Sequence, residues 1–331
     1  MDVTAQRSPA ETATGSGPLR ALRSAFSRIP APSRRTMRRF AVASLVANIG
    51  IVVTGSAVRL TGSGLGCPTW PRCTDESYVV HGDLGLHGAV EFGNRLLTFA
   101  VAAVAIATWV AAMRYQPARS SLRWLATVLA LGVPAQALIG GMTVLTDLNP
   151  WIVALHLLVS MAMIAAAVVL IRRVDESDRP PRATVPRPVV LLGRLTLVVA
   201  WVVLYLGTVV TGSGPHAGDE DSPRTGLDPG AMSQLHADFV FLLLGLSIAL
   251  LLALRAVGAP ERAVRAAAWL VGVELAQGLV GFVQYFSDLP ILLVGLHVLG
   301  AALVSATATW VQLGLRDRGA AALVERKDAT S

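Results

Sequence analysis

Six histidines lie among 331 residues: His81, His87, His156, His216, His236 and His297. Two of them are repeat partners. The run Ala135-Gln136-Ala137-Leu138-Ile139-Gly140-Gly141, then Asp147, then Ala154-Leu155-His156 returns 141 residues later, without a gap. It reads there as Ala276-Gln277-Gly278-Leu279-Val280-Gly281-Phe282, then Asp288, then Gly295-Leu296-His297. Both copies place the histidine inside an apolar segment, and His236 sits at a similar depth in another one. An ionisable group in lipid is costly, so it normally faces a bundle interior and marks a functional site. Neutral imidazole ligates iron without a buried charge partner. Three imidazoles at one level, beside an apolar space of cofactor size, point to heme. The plainer alternative is that each histidine hydrogen-bonds a neighbouring helix.

Aligning the segment of Asn94 with that of His236, at an offset of 142, sets an amide opposite an imidazole. One half then offers His236 and His297, the other Asn94 and His156. Two imidazoles on facing helices can clamp a six-coordinate heme, whereas an amide is a poor iron ligand. The first half is therefore expected to leave a coordination position loose, which suits a bound substrate. Glu91 precedes Asn94 by about one turn, and Arg95 follows. Glu91 could act as a general base or proton acceptor. The simpler reading is an i,i+4 ion pair with Arg95. Gln136 and Gln277 are expected to hydrogen-bond between helices. Cys67 and Cys73, with Pro68 and Pro71 between them, are the only cysteines. In an outer, oxidising loop they suggest a disulfide. A zinc site that recruits His81 and His87 and a redox-active pair stay open. His216, in an acidic loop, is expected to be solvated.

The elements that must carry these residues are membrane helices. Hydrophobic residues make up 53% of the chain and charged residues 15%, with a mean hydropathy of +0.59. Soluble domains carry about 25% charged residues. Eight apolar segments approach the ~20 residues needed to cross a bilayer: 40–59, 86–113, 124–145, 151–171, 191–212, 231–254, 266–286 and 291–314. Eight in succession, with few charges to cover them, argue against a soluble helical core. Of 28 Lys and Arg, 24 fall in the N-terminal tail, the loops after segments 2, 4 and 6, the adjoining ends of the segments, and the C-terminal tail. Arg59, Arg72, Arg95 and Arg224 alone fall on the other side. The positive-inside bias puts both termini in the cytoplasm of a multi-pass cell-membrane protein. That asymmetry also explains the net charge of +7 without invoking nucleic acid.

The fold class expected is an all-α integral membrane protein of eight transmembrane helices. They form two tandem four-helix bundles related by pseudo-twofold symmetry along the membrane normal. Residues 1–39 are expected to be a cytoplasmic, disordered tail. Residues 40–171 form the N-terminal half, 172–190 a cytoplasmic linker, 191–315 the C-terminal half and 316–331 a cytoplasmic tail. Pro134 should kink the third segment, and Gly140, Gly141 and Gly281 should permit close helix approach.

Three features together resemble one family. They are Thr61-Gly62-Ser63-Gly64-Leu65-Gly66-Cys67-Pro68-Thr69-Trp70-Pro71-Arg72-Cys73, then Glu91-Phe92-Gly93-Asn94-Arg95, then the repeated Leu155-His156 and Leu296-His297. From about Arg39 to Leu315 the chain resembles heme A synthase of the CtaA type. Thr211 to Gly218 is similar to the shortened second loop of its actinobacterial branch. The resemblance implies a heme b cofactor whose iron is held by His236 and His297. It implies a first half that receives heme O, with His156, Asn94 and Arg95 at the substrate heme. Many relatives carry histidine at the position of Asn94, so the first-half ligation departs from the pattern. It also implies a catalytic Glu91 and a Cys67–Cys73 disulfide.

The reaction implied is oxidation of a heme O methyl group to a formyl group by successive hydroxylations, for cytochrome oxidase assembly. The partners implied are heme O, heme O synthase, oxidase assembly factors, membrane lipid and a second copy of the chain. The substrate's farnesyl tail would account for an integral enzyme. The alternative is a diheme b-type electron-transfer protein without substrate oxidation. A third reading is a transporter of heme or another amphiphile; large cytoplasmic domains or a nucleotide site would support active transport, and the sequence shows none.

Overall fold

A computed structural model describes residues 24–321. Among them, eight helices are long and apolar enough to cross a membrane: α1 (Arg34–Leu60), α2 (Gly85–Arg114), α3 (Ser120–Leu145), α4 (Pro150–Asp175), α5 (Arg187–Ser213), α6 (Pro229–Ala256), α7 (Glu261–Phe286) and α8 (Ile291–Gly314). The chain is a multi-pass membrane protein. The starts follow local chemistry. The Ser33 side chain accepts from the Thr36 N–H, Asn149 from Trp151 and Asp228 from Ala231. Pro150 and Pro229 open their helices, where a missing N–H costs nothing. Pro134 removes one ladder bond, yet α3 continues to Leu145.

Each half packs as a ring of neighbours. In the first, α1 lies beside α2, α2 beside α3, α3 beside α4 and α4 beside α1. In the second, α5 to α8 repeat that cycle; between the halves α4 meets α5 and α8, and α1 meets α8. Two apolar cores fill the bundles, around Leu122, Leu129 and Leu170 in one and Leu250, Leu254 and Leu270 in the other. A third cluster seals the seam with Val52, Met161, Ile164, Leu204 and Ala302. Ser305 Oγ donates across this seam to the Met161 carbonyl at 2.9 Å.

The tight turns after α3 and α7 share one backbone. Asp147 and Leu148 have φ of 51° and 58°; Asp288 and Leu289 have 57° and 56°. Leu148 N–H bonds the Thr143 carbonyl and Leu289 N–H bonds Gln284, five residues back in both cases. Leucine seldom adopts the left-handed region. Leu148 is held there by burial, its tip lying against Gly64 and Gly218.

The face carrying the linker is more ordered than the sequence suggests. Helix α1 starts at Arg34 rather than 40, because Arg34 and Arg38 both pair with Asp175 at the end of α4. Arginines at a helix start and an aspartate at a helix end each oppose the dipole, and the pairing offsets both. Residues 182–183 of the linker form a two-residue strand with 316–317 of the tail, so neither stretch is free there. Partial burial works against the Asp178 carboxylate, but hydrogen bonds from Arg119 and Ser121 hold its carboxyl well below the usual range.

Candidate functional site

The histidines sit where helix spacing puts them. His156 and His297 lie six residues, about 9 Å, into α4 and α8, and His236 lies at nearly the same depth in α6. In the second bundle, His236 and His297 face each other, with ring centroids 6.4 Å apart and ring planes 72° to one another. A metal–imidazole bond is about 2 Å, so two such bonds plus two half-rings account for a separation of roughly that size. Nδ1 of His297 is buried without a hydrogen-bond partner, and His236 Nδ1 lies toward the Val203 carbonyl without a well-formed bond. Buried polar groups without partners are rare. The spacing, the neutral donors and the apolar surroundings all fit a bis-imidazole heme.

Glycines make room for these rings. A Cβ on Gly207 would lie 3.3 Å from His236 Cε1, and one on Gly281 3.4 Å from His297 Cε1. Gly140 does the same for His156, at 3.2 Å. Gly140 and Gly281 thus permit close helix approach as expected, each against the histidine of the next helix, whereas Gly141 differs from the expectation and faces a loop side chain. A Cβ on Gly141 would fall 2.4 Å from the Trp70 indole, which lies on α3. The glutamines bridge helices as expected. Gln136 Nε2 donates to the His156 carbonyl at 3.0 Å, and Gln277 Nε2 to that of His297 at 2.7 Å. Each anchors the backbone that carries the ring.

The first bundle differs. His156 Nδ1 is also buried and unpartnered. Asn94 is bonded to α1, where Thr54 Oγ1 donates to its Oδ1 at 2.8 Å. That bond leaves the Asn94 Nδ2 hydrogens as its outward donors. Val52 to Ser56 at the end of α1 returns as Val209 to Ser213 at the end of α5, which pairs Gly50 with Gly207; Gly207 abuts His236, whereas a Cβ on Gly50 would have nothing within 4 Å. The shorter amide leaves that space open.

Glu91 is 6% exposed and is engaged at both oxygens. Oε2 accepts the Cys67 N–H at 2.6 Å, and Oε1 accepts Arg95 Nε at 3.1 Å. The expected i,i+4 ion pair is present, with Arg95 Nη2 2.5 Å from Oε1. Arg95 also donates to the carbonyls of Cys67, Thr69 and Arg72. The two residues thus clamp the cysteine loop onto α2.

Cys67 and Cys73 are joined by a disulfide. Their sulfurs are not available to zinc, and His87 Nδ1 instead bonds Ser63 Oγ at 3.0 Å. Among the described residues no cluster of three His, Cys, Asp or Glu could hold a bare metal ion. His216 is not freely solvated. Its Nε2 bonds the Leu289 carbonyl at 2.9 Å, while its own carbonyl accepts Arg59 Nε at 2.7 Å. It ties three segments together. Sequence reasoning passed over Glu274, a carboxyl 5% exposed in α7 that accepts from Ser247 Oγ at 2.8 Å. Its signal was a lone acidic residue in the run Val273-Glu274-Leu275.

Residues 38–83 and 86–219, more than half of the chain, match the COX15-CtaA family, described as cytochrome oxidase assembly protein. The match holds the cysteine loop, Glu91, Asn94 and His156, and ends before His236. A heme A synthase of Lysinibacillus sphaericus is 32% identical over 146 residues, 44% of this chain and 47% of its own length. One of Listeria welshimeri is 30% identical over 151 residues, covering 44% and 48%. One of Geobacillus kaustophilus is 25% identical over 184 residues, covering 54% and 56%. The chain thus spans about half the length of the curated relatives it matches. With over half of its residues matched, the cysteine loop and Glu91 to Arg95 among them, the chain belongs to the COX15-CtaA family of cytochrome oxidase assembly proteins.

Proposed function

We propose that the chain is a heme A synthase, oxidising a methyl group of heme O to a formyl group by successive hydroxylations. One observation carries the reading: two bundles with the same helix cycle, in which one presents facing imidazoles 6.4 Å apart and the other a single imidazole and a tethered amide. The relatives' printed name, heme A synthase, supports it.

In this reading the second bundle is the holder. His236 and His297 bind heme b, which when bound supplies one-electron transfer. The first bundle is the reactor. His156 ligates the iron of the substrate, heme O. Asn94, fixed by Thr54, leaves the opposite side accessible. Arg95 holds the loop that covers this end of the bundle. Glu91 is the catalytic group: Arg95 fills both lone-pair sites of Oε1, while Oε2 keeps one beyond the bond from Cys67 N–H. It accepts the proton released as the methyl carbon is oxidised. The loop under Cys67–Cys73 and Trp70 limits water at that end.

The basic bias places both termini in the cytoplasm, and the His level near the opposite surface of the cell membrane. The halves are taken to be related by an axis along the membrane normal. Heme O synthase upstream and oxidase assembly factors downstream are the partners this role requires, with self-association as a further contact.

The test is to express the protein with a heme O source and extract the hemes. Heme A in the extract is the expected result. Bound b-type heme with no conversion would overturn the enzyme reading in favour of an electron-transfer cytochrome.

A further inference from the structure

Glu274 has no part in the chemistry above. Its Oε2 is buried without a hydrogen-bond partner, and among the described residues it forms no ion pair. Helical spacing aims it at the imidazole column. Gly281, against which His297 rests, lies two turns further along the same face of α7, about 10 Å away. Ser247, its donor, lies three turns from His236 on the same face of α6. Beyond this pair the apolar core closes over Leu250 and Leu270. The aligned positions of the first bundle are Ala105 and Val133, both buried. The polar pair is confined to the half with two imidazoles.

A carboxylate without a cation costs several kcal/mol in such a setting. The helices packed on α7 supply none. Arg255 lies at the far end of α6, and on α7 itself Arg262 pairs with Asp317 and Arg265 with Glu261. Asp238 lies outward near His236 and accepts from Gln234. That leaves the imidazole site, held by His236 on α6 and His297 on α8, as the place where a compensating charge could sit. A ferric porphyrin core carries one net positive charge, and reduction removes it.

We propose that Glu274 is a proton-binding site linked to the electron occupancy of the second bundle, ionised while the iron between His236 and His297 is ferric and protonated when it is ferrous. This rests on the assignment of those histidines as axial ligands. One electron from a reductant of the quinol class reduces the iron. One proton from water forms the O–H bond at Oε2, and the local net charge is unchanged. Ser247 Oγ keeps its bond to Oε1 in both states.

The purified, heme-loaded protein is titrated with redox mediators from neutral to alkaline pH. The midpoint potential of the low-spin heme should fall as pH rises, approaching ~59 mV per tenfold change in proton activity for a one-electron couple. E274Q should keep the low-spin spectrum and flatten the slope. Redox-difference infrared should show a protonated-carboxyl band growing on reduction, shifted in S247A. That band decides the matter should E274Q fail to assemble. A pH-independent wild-type potential, an unchanged slope in E274Q, or a band that S247A leaves unmoved each overturns the proposal with the axial assignment intact. Loss of any low-spin heme from the wild type overturns the assignment and the proposal together.

Discussion

The two bundles share a helix cycle, a left-handed turn, a glutamine bridge and the histidine it anchors, yet they differ at the positions opposite that histidine. Gly207 abuts an imidazole, while Gly50 abuts open space. His236 faces His297, while Asn94 is tied to Thr54. Ser247 and Glu274 stand where the first bundle has Ala105 and Val133. The first bundle instead carries the disulfide loop clamped by Glu91 and Arg95. The turn, the glutamine bridge and one histidine are alike in both halves, while the interior positions facing that histidine and those deeper in the bundle differ. A duplicated frame can hold one group firmly in one copy and leave the other copy free to exchange its occupant.

The most severe test of this contrast is removal of a second-bundle ring. His297→Ala should abolish the low-spin b-type spectrum, and an unchanged spectrum would transfer the cofactor to another site. Next is Glu91. Glu91→Ala should lower heme A formation by about 10²- to 10⁴-fold, the usual worth of a positioned proton acceptor, with bound heme b spectrally intact. Parallel loss of heme b would make Glu91 a structural clamp alone.

Asn94→His makes the first bundle resemble the second. Gly50 offers the room, so a heme O-loaded variant should gain a second low-spin signal in electron paramagnetic resonance and turn over more slowly. Unaltered spectra would mean that the Asn94 position does not face the iron. Cys67→Ser removes the loop's covalent closure, worth about 2 kcal/mol for so short a loop. A lower melting temperature is expected, with the second-bundle spectrum untouched. The smallest effect pairs two glycines. Gly207→Ala must push the His236 ring by a few tenths of an ångström and should shift the low-spin spectrum slightly. Gly50→Ala, with open space around it, should leave that spectrum unchanged.

Much of this was legible before the fold. The repeat put Gln136 with Gln277 and His156 with His297, and both glutamines hold the backbone of their histidine. The Glu91–Arg95 pair followed from spacing of four on a helix. What misled was local context. His216 sits in an acidic loop and reads as solvated, but its partner, Leu289, is 73 residues away. Gly141 reads as a helix-contact residue, but its neighbour is Trp70 from a distant loop.

The sequence alone carries eight segments long and apolar enough to cross a membrane and a repeat offset of 141 residues. Hydropathy, repeat offset and helix period are local, additive properties, and lipid leaves a helical chain few alternatives. Only the tertiary structure decides that His236 and His297 oppose each other, that Asn94 turns to Thr54, that Glu91 grips the cysteine loop, and that Glu274 is left with an unanswered oxygen. Those outcomes depend on how helices rotate against one another. Side chains far apart in the chain set that rotation, and no single segment encodes it.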